Sequence, residues 1–172
     1  MTPVTSHARW LGLSLAVVVA DRASKFVVEN YTGEDFRQAV VPGVINIVHS
    51  RNPGIAFGLF ADAQSPWLTP MLVFGSVVVI GLLVWYLTAG HAAGARSCAG
   101  LALILGGAAG NLIDRLLYGG VTDFFEVHWR SFHWPAFNLA DSAITIGALL
   151  VMIELLFGRH PHASEHASEK KA

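Results

Sequence analysis

Charge is scarce in this chain. Only 13% of its 172 residues are Asp, Glu, Lys or Arg, against about 25% in soluble domains, while 53% are hydrophobic and the mean hydropathy is +0.52. That shortage argues against an ordinary water-soluble domain and points to lipid. Neither sign of charge dominates: 11 basic residues face 12 acidic ones, for a formal net charge of -1 and a pI of about 6.7. The broad basic field that attracts nucleic acid is therefore missing, and nucleic acid is not expected as a partner. Cysteine is reduced to Cys98, which can close no internal disulfide and has no C-x-x-C partner. It reads as a small helix residue. Motifs for other hydrolytic chemistries are also lacking. No G-x-S-x-G elbow occurs, and Ser142 beside Asp141 has no histidine within helical reach. Asp123, Glu126, His128 and His133 match neither H-E-x-x-H nor a close relative of it. No metal and no cofactor is expected.

Long apolar runs are what the sequence has in quantity. They fall at about 10–28, 67–87, 95–117 and 139–157, each near the roughly 20 residues that span a bilayer as a helix. The first is interrupted by Asp21, Arg22 and Lys25. Charged residues follow its apolar stretch where a cleavable signal would carry a small-residue site, so it is expected to be a retained helix. The second run contains no charge, and its Trp67, Trp85 and Tyr86 suit membrane interfaces. The fold expected is an all-α membrane protein: one domain over 1–158, with four transmembrane helices. In the outer segment 29–66, the β-branched stretch around Pro42-Gly43 predicts a small extracytoplasmic β-hairpin. The outer segment 118–137, rich in Phe and Trp, reads as a loop at headgroup level. Arg9, Arg96, Arg159, Lys170 and Lys171 outnumber Arg37, Arg51 and Arg130 of the outer segments. The positive-inside rule then places both termini in the cytoplasm. Residues 159–172, with HASE written twice, read as a disordered cytoplasmic tail.

Polar residues in the apolar segments cluster at one level. They are Asp21 and Lys25 on the first helix, Asn111, Asp114 and Arg115 on the third, Asp123 just beyond it, and Asn138 and Asp141 opening the fourth. Ionisable groups in membrane helices are costly and usually face a bundle interior or a wet cavity. Asp21 and Lys25 stand four apart, as a structural ion pair would, and Asp114 with Arg115 admits a similar reading. The run Gly106-Gly107-Ala108-Ala109-Gly110 reads as a helix-packing surface. Asp123 and Asp141 have no basic residue at helical spacing and lie where loop meets membrane. Brought together, two such carboxylates share a proton, as aspartic proteolysis requires. Spacing alone leaves proton transport and metal binding open as well.

Five strings in order narrow the choice: Asp21-Arg22-Ala23-Ser24-Lys25; Arg51-Asn52-Pro53-Gly54-Ile55-Ala56-Phe57-Gly58; Gly106 through Arg115; Val121-Thr122-Asp123-Phe124; and Phe137-Asn138-Leu139-Ala140-Asp141. Together they resemble the bacterial lipoprotein signal peptidases, or signal peptidase II, over nearly the whole chain. Ile55 departs from the pattern, where a small residue is more usual. The resemblance implies an intramembrane aspartic endopeptidase of the bacterial inner membrane, multi-pass, with its site near the outer face. Asp123 and Asp141 would be the catalytic dyad. Asn52, Gly54, Asn111, Arg115 and Asn138 would line the site, with Asp21, Lys25 and Asp114 supporting it. The substrate implied is a prolipoprotein carrying diacylglyceryl on its cysteine, cut just before that cysteine, with membrane lipid as surroundings; a monomer suffices. The rival from another class is a small proton-coupled transporter or channel subunit using the acids as a relay. It lacks the internal repeat and paired broken helices such proteins show.

Overall fold

Eight elements follow one another in the computed structural model, which describes residues 3–54, 66–89, 94–130 and 132–158. They are α1 (Pro3–Tyr31), β1 (Arg37–Val41), β2 (Ile45–Asn52), α2 (Leu68–Thr88), α3 (Ala95–Tyr118), β3 (Val121–Trp129), β4 (Phe132–Phe137) and α4 (Leu139–Phe157). The departure at Ile55 and the tail 159–172 lie outside the described residues.

All four expected helices are present, and α2, α3 and α4 are long and apolar enough to cross a membrane. The helix α1 is longer at both ends than the apolar run that announced it, beginning at Pro3 and continuing through Glu29 and Asn30 to Tyr31. On α2 the exposed residues Met71, Phe74, Leu82 and Trp85 are large and apolar, as a helix bathed in hydrocarbon requires. The helix α3 sits centrally, packed on α1, α2 and α4. Its glycine run is the reason it can: a Cβ on Gly107 would strike the Ala140 carbonyl of α4, and one on Gly110 would come 2.5 Å from Asp21 Oδ2 of α1. The packing reading of that run holds.

The all-α expectation needs correction. Besides the hairpin foreseen around Pro42-Gly43, residues 121–137 form a second one, and the two join in an antiparallel sheet of order β1-β2-β3-β4. The aromatics of 118–137, taken as a headgroup-level loop, thus belong mostly to strands, where aromatic and β-branched residues fit a pleated surface. Pro135 is tolerated because β4 is an edge strand. Glu126 of β3 clasps three strands by accepting from Arg37 of β1 and Asn46 of β2. Burial alone would raise its carboxyl, but hydrogen bonds from His128, Asn46 and Arg37 outweigh that and hold it below its usual value. The pairing of β2 with β3 sets Ser50 opposite Asp123 and Asn52 opposite Val121. It therefore carries Asn52 to the side of the sheet that meets α3 and α4.

Candidate active site

Asp123 enters the site from β3 and is nearly buried, at 3% exposure. Its Oδ1 accepts from Asn138 Nδ2 at 2.7 Å and its Oδ2 from Asn52 Nδ2 at 3.2 Å. Asn52 is itself held by a turn: its Oδ1 accepts from the Gly54 N–H at 2.9 Å, and Gly54 adopts φ of +114°, a conformation that favours glycine. Burial, then the neighbouring Asp141 charge, lift the Asp123 carboxyl to about 7, although the Asn52 and Asn138 hydrogen bonds pull the other way.

Asp141 enters from the first turn of α4. Asn138 is that helix's N-cap, and the two residues form a capping box: Asn138 Oδ1 accepts from the Asp141 N–H at 2.9 Å, and Asp141 Oδ2 accepts from the Asn138 N–H at 3.2 Å. Asp141 Oδ1 accepts from Asn111 Nδ2 at 2.8 Å. Fully buried Asn138 thus ties the two carboxylates together, capping the helix that carries one while donating to the other. Both carboxylates line a cavity of about 280 Å³, with Asn52, Gly54, Asn111, Arg115, Val121, Trp134, Phe137 and Thr145 among its walls. An apolar groove shares Trp134, Phe137, Asp141 and Thr145 with it and continues along Trp129, Phe132 and Ile146.

Behind the cavity stands a buried ionic layer. Lys25 and Asp21 are fully buried, with Nζ 2.7 Å from Asp21 Oδ2, so the pair expected four residues apart is formed. Lys25 also reaches Asp114 Oδ2 at 2.8 Å and donates to Asn111 Oδ1 at 3.0 Å. The expected Asp114–Arg115 pairing is not what forms. Neighbours on a helix point about 100° apart, so Asp114 turns inward to Arg22 and Lys25 while Arg115 turns to the cavity. Asp21 Oδ1 accepts from the Ala140 N–H at 2.9 Å and Asp114 Oδ2 from the Thr122 N–H at 3.3 Å. The layer therefore grips the chain next to each cavity carboxylate.

Of the site residues named from sequence, Asn52, Gly54, Asn111, Arg115, Asp123 and Asp141 line the cavity, Asn138 bridges the two acids, and Asp21, Lys25 and Asp114 lie behind. Sequence reading gave no role to Arg22, Glu29 or Thr122. Arg22 pairs with Asp114 and Glu29, and Glu29 Oε1 accepts from Thr122 Oγ1 at 2.7 Å. A signal was available, because residues 22, 25 and 29 recur at i, i+3 and i+7 on one helical face. Of Asp123, Glu126, His128 and His133, Glu126 pairs with His128 and His128 packs edge-on against His133, but among the described residues no three of His, Cys, Asp and Glu gather as a ligand set.

Two carboxylates at one cavity, one on β3 and one on the apolar helix α4, beside helices long and apolar enough to cross a membrane, are an arrangement suited to acid–base hydrolysis. Residues 13–157 match the family described as signal peptidase (SPase) II, and the chain belongs to that family of peptidases. The lipoprotein signal peptidase of Solibacter usitatus is 42% identical over 153 residues, covering 86% of this chain and 92% of that protein. That of Paraburkholderia phytofirmans is 42% identical over 151 residues, covering 88% and 86%. A solved bacterial membrane enzyme superposes with a TM-score of 0.79 at 26% identity, covering 92% of this chain and 93% of that one. These matches do not favour the transport reading.

Proposed function

We propose that this peptidase removes the signal peptide from diacylglyceryl-modified prolipoproteins, cutting just before the lipidated cysteine, with Asp123 and Asp141 as its catalytic pair. The observation that carries the assignment is the Asn138 amide, which holds both acids at one cavity. Their surroundings divide the labour. Asp141 accepts from two N–H donors and lies in the first turn of α4, where the helix dipole favours negative charge. It is the base that takes a proton from water. Asp123, whose carboxyl is lifted to about 7, keeps its proton near neutral pH and donates a hydrogen bond to the scissile carbonyl oxygen. Water adds to that carbon to give a gem-diol; the C–N bond then breaks as the leaving nitrogen takes a proton. Asn52, Gly54, Asn111 and Arg115 shape the cavity around the peptide, while Asp21, Lys25 and Asp114 hold the frame behind it.

In this reading α1 is the fourth span, its central charges made tolerable by pairing inside the bundle. Both termini then face the cytoplasm, residues 1–158 are one domain with 159–172 as a cytoplasmic tail, and the sheet and cavity lie at the outer face of the inner membrane. The acyl chains remain in lipid, where each buried methylene contributes about 0.8 kcal/mol, and a single copy of the chain is sufficient. The test is a gel-shift assay on purified protein in detergent with a diacylglyceryl-modified prolipoprotein. Cleavage by the wild type and none by Asp123→Asn or Asp141→Asn supports the assignment; cleavage surviving either change removes it.

A further inference from the structure

Among the described residues that line the cavity, Arg115 is the one cation. Its guanidinium is hardly used: Nη1 makes a 3.4 Å contact to the Asn111 carbonyl of its own helix, and Nε is buried with no hydrogen-bond partner. A guanidinium has five N–H donors in a planar fork suited to a carboxylate. The carboxylates already at the cavity have other donors: Asp123 takes Asn52 and Asn138, and Asp141 takes Asn111 and the Asn138 N–H. Lys25 cannot serve the cavity, being fully buried between Asp21, Asp114 and Asn111.

Hydrolysis changes the charge at this spot. Water supplies one oxygen, the peptide C–N bond breaks, the lipidated cysteine leaves as an amine, and the signal peptide is left with a new C-terminal carboxyl that ionises at neutral pH. Before the reaction the pair carries one negative charge opposite Arg115. Afterwards a second carboxylate stands in the same small cavity.

We infer that the unspent donors of Arg115 receive the new C-terminal carboxylate of the cleaved signal peptide, making the cavity a binding site for that product as well as for the substrate. This rests on the reading of the site given above. A fork-shaped cation in the cavity wall offsets the charge that would otherwise expel the product. The freed peptide is therefore an inhibitor whose strength depends on its terminus.

The test uses full-length protein in detergent and a synthetic signal peptide ending one residue before the cysteine, made as the free acid and as the carboxamide. Binding is read directly from a fluorescent label on the peptide's N-terminus, so it needs no turnover. The acid is expected to bind about tenfold more tightly than the amide, in line with a charge-assisted bond. Arg115→Gln is expected to erase that preference and Arg115→Lys to keep part of it. Equal binding of the two forms to the wild type overturns the inference, as does a preference that survives in Arg115→Gln. If Arg115→Gln does not fold, the wild-type comparison and Arg115→Lys still decide. Failure of the wild type to cleave a prolipoprotein would instead strike the functional assignment, and the same samples separate the two outcomes.

Discussion

Lys25 Nζ lies 3.0 Å from Asn111 Oδ1, and because an ammonium can only donate, this contact fixes which way round the Asn111 amide stands. The NH2 end is left facing Asp141, to which it donates at 2.8 Å. A buried cation that touches neither cavity carboxylate thus decides that one of them meets a donor. Sequence alone placed Lys25 near the site but could not reveal this indirect connection.

Replacing Lys25 with Met should unsettle the fold and the site together. Asp21 would lose its cation in a fully buried setting, and breaking such a pair typically costs about 3–5 kcal/mol. A large fall in Tm in detergent is expected for Lys25→Met. The double change Lys25→Met with Asp21→Asn should recover part of it, since the stranded charge is then gone. A single variant as heat-stable as the wild type would show that the ionic layer does not hold the bundle.

The two acids should matter alike for cleavage but differently for stability. Asp123→Asn and Asp141→Asn each remove a proton-transfer partner, a change typically worth roughly 10²–10⁴-fold in rate, so initial-rate cleavage assays should find both nearly inactive. Asp141 also belongs to the α4 capping box. Asp141→Ala should therefore lower Tm as well as activity, by an amount comparable to a lost cap, about 1 kcal/mol. An Asp141→Ala protein with unchanged Tm would separate the capping role from the catalytic one.

Asp123 gives the protein a pH signature. Burial, followed by the charge of Asp141, lifts its carboxyl from 3.8 to about 7. Between those values the native state keeps a proton that the unfolded chain has lost, so stability should fall as pH rises from about 4 to 7. Cleavage should decline above pH 7 as the general acid deprotonates. In Asp123→Asn the corresponding slope of Tm against pH should be shallower, because the amide does not titrate. Parallel curves for the two proteins would mean that another group sets the slope.

How much of this was legible beforehand follows from the physics of each signal. The charge-free run of α2 announced a span by composition alone, and the Pro42-Gly43 turn between β-branched stretches announced β1 and β2. The second hairpin did not stand out. Its strands carry aromatics on both faces, with 121–124 buried throughout, so the alternation that marks a half-exposed strand is missing. Asn138 stood out as a polar residue opening a helix, yet its bridge to Asp123 depends on β3 folding back beside α4. The Asp114–Arg115 expectation erred because adjacent helical residues diverge, so tertiary partners chose between them.

Thr122 offers the sharpest test of how the frame controls the chemistry. It is fully buried, its N–H donates to Asp114 and its hydroxyl to Glu29, and the next residue along β3 is Asp123. Thr122→Val keeps the shape and the backbone bond but removes the hydroxyl. Glu29 keeps its ion pair with Arg22 at 3.5 Å, so the cost should be that of one buried hydrogen bond with its acceptor partly rescued, about 1–3 kcal/mol. Because Thr122 does not line the cavity, substrate contacts are unaffected and KM should change little, while kcat falls as Asp123 loses part of its lateral support. A raised KM with kcat preserved would instead mean that Thr122 acts on substrate binding, and that the Glu29–Thr122 bond is not what steadies the Asp123 strand.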